Sequence, residues 1–351
     1  MPSRILISDL QPNQLIEGTY CLINCQLGQT KGGKPYIKCL IGDKSARVPG
    51  RMWNVTDDLF GALPTDGFVF LRGQTQPYQG EMQIIIQSLR AVQPTHAELM
   101  ELLPRTKRDV EQMYAEVGAI LRDMKDPHLR RLADAYLDDA AMMEKFQQAP
   151  AAQNLHHAYL GGLLEHTHNL LTLAERVLPL YPELNADVVL LGLFLHDMGK
   201  CAELYWDTGF GYTEDGQLIG HVGRGVLWLQ RKLDQCQAAG QKVPDALAMV
   251  MHHIILSHHG VPEFGALKVP STPEAIAVSM LDNLDAKIHM GIAARGDLAK
   301  EGLGGNFTEK IWALDTRVYR PDPTTVPDAP ASPVREPEPD AAEQPMLKGG
   351  L

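Results

Sequence analysis

The hydrophobic period of this chain changes once, at Pro94, and that change limits the folds open to it. Before it, apolar and polar residues alternate in short runs broken by Gly, Pro, Asn and Asp, as strands require. The runs cover residues 19–27, 35–41, 46–53, 68–75 and 81–92, with Gly42-Asp43-Lys44-Ser45 as a turn and Gln76-Pro77-Tyr78-Gln79-Gly80 as a hairpin loop. Such strands with almost no helical period predict a small closed barrel, best fitted by an OB-fold, with a generic β-sandwich as the alternative. After Pro94 the spacing turns helical. Thr95 followed by Glu98 has the form of a capping box, and helices are expected over 107–124, 128–148, 160–178, 186–200, 221–237, 244–257 and 273–294. From Tyr319 onward eight prolines with acidic filler leave little to bury, which predicts a disordered tail. The expected fold class is therefore multidomain α+β: an OB-fold β-barrel over 1–95, an all-α domain over 96–318 and a tail over 319–351.

Composition narrows the setting. The apolar run 186–195 is far short of the ~20 residues a membrane span needs, and the N-terminus lacks the apolar core of a signal peptide. Five cysteines without a CxxC pair argue for reduced thiols in a cytoplasm, not a disulfide framework or a thiolate zinc site. Cys21 and Cys25, four apart on one expected strand, should face the same way and be buried. The net charge of −11 is unevenly spread: residues 1–95 carry nine Lys/Arg against seven Asp/Glu, and 319–351 carry three against six. A mildly basic module joined to a carboxylate-rich one suits a nucleic-acid binder attached to a metal enzyme.

The helical region holds histidine and aspartate in a defined order: His166, His196-Asp197, His221, His258-His259 and Asp282. Imidazole and carboxylate together suit borderline or hard divalent ions, with manganese expected first and Co, Fe, Ni or Zn as alternatives. Seven such groups exceed the needs of one ion, whereas two ions bridged by Asp197 would use them all. Two ions ~3.5–4 Å apart can activate water and stabilise both the attacking and leaving oxygens of a phosphodiester. Lys200 lies three residues after Asp197, on the same side of a helix, where its ammonium could meet a phosphate oxygen or leaving group; Asp197 and Lys200 are the expected catalytic pair. The bland reading is that a lone histidine on an apolar helix belongs to the core or surface. His156-His157 and His252-His253 look like spare pairs of that kind, and Asp282 or Asp285 alone could be a solvated carboxylate. The ordered series, with HDMGK inside it, outweighs that reading.

The series in its helical setting resembles the HD phosphohydrolase superfamily, and within it the HD-domain 3′-to-5′ exoribonucleases of the YhaM type, which place an OB-fold before the HD domain. The stretches that carry the resemblance are HHAYLGGLLEHT, LYPELNADVVLLGLFLHDMGK, LIGHV, LSHHGVPEFG, LDNLDAKI and FTEKIWALDTRVYRP, with a looser match through GKPYIKCLIGDKSARVPGRMW. The resemblance implies metal ligands at His166, His196, Asp197, His221, His258 and Asp282, with His259 beside them. Two departures matter. GVPEFG follows His258-His259 where cyclic-di-GMP phosphodiesterases of this superfamily carry GYP, and Gly162 stands where some of them use a glutamate for a third ion. Two ions and a different substrate are therefore expected.

A barrel of this kind binds single strands by stacking bases on aromatic rings and tracking phosphates with Lys/Arg. The candidates are Tyr36, Trp53 and Tyr78, with Arg47 foremost among phosphate partners that include Lys34, Lys38, Arg51 and Arg72; Arg224, three residues after His221, is another. A tryptophan in a small β domain is more often core, and scattered cations more often a solvated face. Trp206, Phe210 and Tyr212 read equally as a lid or a packed loop. The family resemblance implies removal of nucleotides from the 3′ end of single-stranded RNA, with single-stranded DNA as a further substrate, in a chain that could self-associate and has no membrane partner. The alternatives are an HD phosphohydrolase of free nucleotides or small phosphoesters, and a non-enzymatic single-strand-binding or replication-associated protein.

Overall fold

The computed structural model describes residues 4–324, apart from 31, 79–80, 153–156, 207–209, 296–305, 309 and 323. Five strands, β1 (Leu15–Gln29), β2 (Pro35–Gly42), β3 (Arg47–Trp53), β4 (Gly67–Tyr78) and β5 (Glu81–Ala91), close into a barrel in the order β1-β2-β3-β5-β4. Only the β3–β5 pair is parallel. This five-stranded closure is that of an OB-fold. A short helix, α1 (Asp57–Gly61), lies between β3 and β4, capped by the Thr56 side chain, and its Leu59 and Phe60 pack against the barrel core. The sequence period gave no hint of it, since five residues are too few to show one.

Two local departures have physical causes. β4 runs on through Tyr78, which pairs with Glu81, so the expected five-residue hairpin loop shrinks and its Gln79-Gly80 lies outside the described residues. In β1 the register shifts between Ile23 and Gln26, where Asn24 adopts φ +52°. A bulge flips every side chain beyond it. Cys21 and Cys25 are both buried, as expected, but they do not face the same way: Cys25 enters the barrel core, whereas Cys21 packs outside it.

Cys21 and Phe68 meet Leu99, Leu102 and Leu103 of α2 (His96–Leu102) and its C-terminal cap, joining the barrel to the helical region. The expected capping box is formed: Thr95 N–H donates to Glu98 Oε2 at 2.8 Å and its hydroxyl accepts from Glu98 N–H. An ion pair of Lys44 with Glu101 spans the same junction.

Beyond it come α3 (Val110–Arg122), α4 (Pro127–Leu137), α5 (Ala140–Gln148), α6 (Gly162–Val177) and α7 (Ala186–Leu195). The single helix expected over 128–148 is two. Asp139 accepts from Met142 N–H and starts α5, as an N-cap aspartate does. The helix expected to run to Lys200 ends at Leu195; a turn follows, then α8 (Lys200–Glu203). The all-α expectation is also interrupted by a small hairpin, β6 (Leu204–Tyr205) and β7 (Gly211–Tyr212). Then follow α9 (Glu214–Leu218), α10 (Gly220–Ala238), α11 (Asp245–Ser257) and α12 (Pro273–Arg295).

Helix α7 (ADVVLLGLFL) is apolar on every side and sits at the centre, against α4, α6, α11 and α12. Its Phe194 packs edge-on to Tyr136 and Phe146, with centroids 6.1 and 5.6 Å away. No described helix is long and apolar enough to cross a membrane. The packed chain extends slightly past the expected tail boundary, because Arg320 N–H donates to Asn306 O and Arg320 O accepts from Arg295. The disorder expected of the tail falls, from residue 325 on, outside the described residues.

Candidate metal centre

The candidate ligand residues come from the helices around α7. His166 lies on α6, His221 at the start of α10, and Asp282 midway along α12. His196 and His258 hold equivalent places as the C-terminal caps of α7 and α11. At a helix end the carbonyl of the last turn has no intrahelical partner, and each imidazole uses one. His196 Nδ1 lies 2.7 Å from Leu193 O and His258 Nδ1 lies 2.8 Å from Ile255 O. That bond puts the proton on Nδ1 and leaves the Nε2 lone pair facing inward.

Asp197, one residue past the helix, reaches between two groups of nitrogens. Its Oδ2 lies 3.3 Å from His196 Nε2 and 3.8 Å from His166 Nε2, and Asp282 Oδ1 approaches His166 Nε2 at 3.2 Å and His196 Nε2 at 3.7 Å. Its Oδ1 lies 3.6 Å from both His221 Nε2 and His258 Nε2, and His259 Nε2 is 2.9 Å from His221 Nε2. All seven expected ligands are therefore brought together, in two sets joined by one carboxylate. The donor set fits divalent cations of the borderline or hard kind. A second observation supports the fit: His196 Nε2, Asp197 Oδ1 and His258 Nε2 are buried with no hydrogen-bond partner, a costly arrangement unless something else satisfies them.

Glycine explains how the elements come so close. A Cβ on Gly199, in HDMGK, would lie 2.0 Å from His221 O, so α10 can approach the His-Asp turn only over a glycine. A Cβ on Gly162 would lie 2.0 Å from His157 O. That position cannot carry the glutamate some relatives in the superfamily use, so the departure noted in the sequence has a steric basis.

Two residues that the sequence did not single out as ligands support the imidazoles. Asp285 Oδ2 lies 2.7 Å from His166 Nδ1 and 3.0 Å from His157 Nε2. Glu203 Oε1 accepts from His221 N–H and lies 2.9 Å from its Nδ1. Asp285 is thus no solvated carboxylate, and His157 is no spare histidine; it is buried and also bonds Tyr159 Oη at 2.7 Å. His156 lies outside the described residues. His252 and His253 do fit the spare reading, on Ala248 O and Ser271 N–H.

Charge is concentrated here. Burial alone would raise the Asp197 carboxyl, but Lys200 and His196 outweigh it and hold it well below the usual carboxylate range. Lys200 Nζ donates to Asp197 Oδ2 at 2.6 Å. Burial works against the His166 cation, yet Asp282 and Asp285 push it up to about 9. Burial, with His258 and His221 beside it, pushes His259 down to about 3. The Lys200 ammonium, though buried, is kept charged by Asp197.

The barrel candidates divide. Tyr36 and Trp53 lie on adjacent strands with ring centroids 5.1 Å apart, and with Tyr78 and Arg51 they line one groove of about 660 Å³. Trp53 is 46% exposed and Tyr78 58%, so neither is a core residue. Arg47, at the other end of β3, lines the crevice between the barrel and the helical region instead. Arg224 is ion-paired with Asp215, and Arg72 with Glu17. Lys34 and Lys38 are exposed on the barrel. Trp206 and Phe210 are partly buried against the protein, and Tyr212 is exposed on β7, which favours the packed-loop reading.

Residues 163–287 match the HD domain family. The chain is 31% identical to a Geobacillus sp. protein named 3′-5′ exoribonuclease YhaM, over 84% of this chain and 88% of that one. It is 30% identical to the Listeria monocytogenes serotype 4b protein of the same name, over 91% of this chain and 98% of that one. The second OB-fold domain of replication protein A from Methanococcus maripaludis is similar over 26% of this chain, at 14% identity and TM-score 0.22. With its barrel, its HD domain and similarity along nearly the whole of both relatives, the chain belongs to the YhaM family of HD-domain proteins.

Proposed function

We propose that this chain is a metal-dependent 3′-to-5′ exoribonuclease that hydrolyses single-stranded RNA, and single-stranded DNA in second place, to 5′-mononucleotides. The observation that carries the reading is Asp197, which turns one carboxylate oxygen toward His166 and His196 and the other toward His221 and His258. One divalent ion would be held by His166, His196, Asp197 and Asp282, and a second by His221, His258, His259 and Asp197; manganese is the expected metal. Bound there, the two ions would activate water and neutralise charge on a phosphodiester. The residues of the chain do the rest. Lys200 sets an ammonium against the shared carboxylate, where it can also attract a phosphate oxygen, and Asp285 and Glu203 hold His166 and His221 in the ligating tautomer. The names of the two relatives supply the polarity and the RNA preference.

The groove lined by Tyr36, Trp53, Tyr78 and Arg51 is suited to a single strand, since stacking on aromatic faces is sequence-tolerant. The five cysteines are all free and buried, which suits the reducing cytoplasm. The test is to give the manganese-loaded protein 5′-end-labelled single-stranded RNA and, separately, mononucleotides. A ladder shortening from the 3′ end is expected, and it should vanish in Asp197→Ala while RNA binding persists. Turnover of mononucleotides with the RNA left intact would overturn the proposal.

A further inference from the structure

The barrel groove lies on an outer face built from four neighbouring strands, β2, β3, β5 and β4. Side chains alternate across a strand, so Gln74, Gln76 and Tyr78 share one side of β4, and Gln83, Ile85 and Gln87 share one side of β5. The register sets Gln76 against Gln83 and Gln74 against Ile85, with Ile85 beside Arg51 of β3. Tyr36 and Trp53 stand toward one edge of this face and Tyr78 at the other, on strands ~4.8 Å apart. The floor between the rings is amide: Gln74, Gln76, Gln83 and Gln87, with Asn13 beside them. Gln74 Nε2 donates to Asn13 O at 3.1 Å and Gln83 Nε2 to Gln76 Oε1 at 3.3 Å, so part of this floor is already held in place.

Charge is what this face lacks. A solvated protein surface ordinarily carries Lys, Arg, Asp and Glu at about 25–35% of its positions. Among the described residues that line the groove, Arg51 is the one cation and none is a carboxylate. Lys38 stands beside Arg51 across β2 and β3. Arg47 and Arg72 lie elsewhere, in the crevice and on Glu17. A strand here therefore meets few partners for its phosphates. An amide offers a donor and an acceptor side by side, and each nucleobase has a neighbouring donor and acceptor on an edge left open in a single strand. Turning the amide over exchanges the two roles, so one glutamine suits any base.

We infer, on the footing that this groove is the single-strand site, that it grips the strand by its bases. They stack on Tyr36, Trp53 and Tyr78 and are hydrogen-bonded by Gln76, Gln83 and Gln87, while the phosphates turn to solvent except where they meet Arg51 and Lys38. The net charge of −11 favours this arrangement, since so acidic a chain repels a phosphate backbone.

The test uses the full chain, chelated so that no strand is cut, with fluorescence anisotropy of a labelled single-stranded RNA of about eight nucleotides. On logarithmic axes the affinity for a single strand falls with salt at about −0.7 per neutralised phosphate, so one or two phosphates give a slope of about −0.7 to −1.4. Tracking by all five of Lys34, Lys38, Arg47, Arg51 and Arg72 would give about −3.5. Arg51→Ala should flatten the slope by about 0.7, and Arg72→Ala should leave it unchanged. Gln83→Leu together with Gln87→Leu should weaken binding by ~5–100-fold, at ~2–10-fold for each net hydrogen bond. The same bases on an uncharged peptide backbone should compete with the RNA, and an abasic strand of the same length should not. A slope steeper than about −1.4, full affinity in the double glutamine variant, or competition by the abasic strand but not by the uncharged one would each overturn the inference. Trp53→Ala tells two failures apart. RNA affinity unchanged by that substitution would take the strand out of the groove altogether, whereas a loss there with the glutamine variant unaffected would leave the strand in the groove and refute the amide grip alone.

Discussion

Replacing Asp285 with asparagine separates the support of a ligand from the ligand itself. Asp285 does not face the inward Nε2 atoms. It lies behind His166, 2.7 Å from Nδ1, and behind His157, 3.0 Å from Nε2. Asparagine keeps the volume but loses the charge, and its amide can present a donor where an acceptor is needed. Outer-shell partners of this kind are worth about 10–100-fold in metal affinity, or roughly 1.4–2.7 kcal/mol. Glu203 stands in the same relation to His221, at 2.9 Å. The two supports serve opposite sets of ligands, so Asp285→Asn and Glu203→Gln should each weaken a different step of a two-step calorimetric titration with manganese. In the metal-free Asp285→Asn variant, His166 should also titrate below its value of about 9, because one of the two carboxylates that hold it there is gone. The imidazole signals of the protein report that shift without any metal. If both variants leave both binding steps within about twofold of the wild type, or if both weaken the same step, the division of the centre into two supported sets is wrong.

Gly199→Ala should be more damaging than its size suggests. The new Cβ meets His221 O, a backbone atom, at 2.0 Å, so α10 must move; a loss of ~1–3 kcal/mol in denaturant unfolding together with a weakened second binding step is expected, and wild-type behaviour would refute the steric reading of HDMGK. Metal-free stability should peak near pH ~6.5, the ordinary histidine value. His166, raised to about 9 in the folded chain, contributes stability that is complete below that value and lost as pH rises toward 9. His259, lowered to about 3, stays neutral in the folded chain while the unfolded chain takes up a proton, so stability also falls as pH drops from that value toward 3. Denaturant titrations of the chelated protein across both windows test the signs, and stability that climbs steadily from neutral to pH 9 would contradict the first. Trp53→Ala should raise KM for long single strands by ~5–160-fold, from stacking worth ~1–3 kcal/mol per base, and leave dinucleotide cleavage unchanged; an equal loss on both substrates would remove the groove from the RNA path.

The cluster of candidate ligands was legible because His and Asp at intervals in apolar helices are chemically conspicuous. Their supports were not. Asp285 lies three residues from Asp282 on a helix that also carries exposed apolar residues, Met280 and Leu284 among them, so the sequence could not tell which side of α12 turns inward, and a carboxylate one turn from a ligand reads as well as a solvated one. Glu203 sits on a one-turn helix that opens into a hairpin, too short to carry a period. The strands were legible from alternation, but the bulge at Asn24 was not: alternation assumes a regular pleat, and one left-handed residue sends Cys25 into the barrel while Cys21 stays outside. The cations were the least legible. A basic residue's role depends on what lies beside it, and only the fold sets Arg224 against Asp215 and Arg47 against the helical region.

Adjacency in the His-Asp pair follows from where α7 ends. While a residue remains within a helix its neighbour points about 100° away, and two adjacent side chains cannot serve one centre. At the end of α7 that restriction lapses: His196 still caps the helix through Leu193 O, whereas Asp197 already belongs to the turn and can swing across to the other set of nitrogens. Gly199 then admits α10, and Lys200 restarts a helix with its ammonium against the carboxylate. His258 repeats the capping arrangement on α11. Each set of ligands thus contains one imidazole fixed by a helix-end carbonyl and one backed by a carboxylate, His196 with His166 and His258 with His221. A carbonyl fixes the ring but adds no charge, whereas a carboxylate also raises its basicity. The two sets are therefore matched in kind on either side of the Asp197 carboxylate.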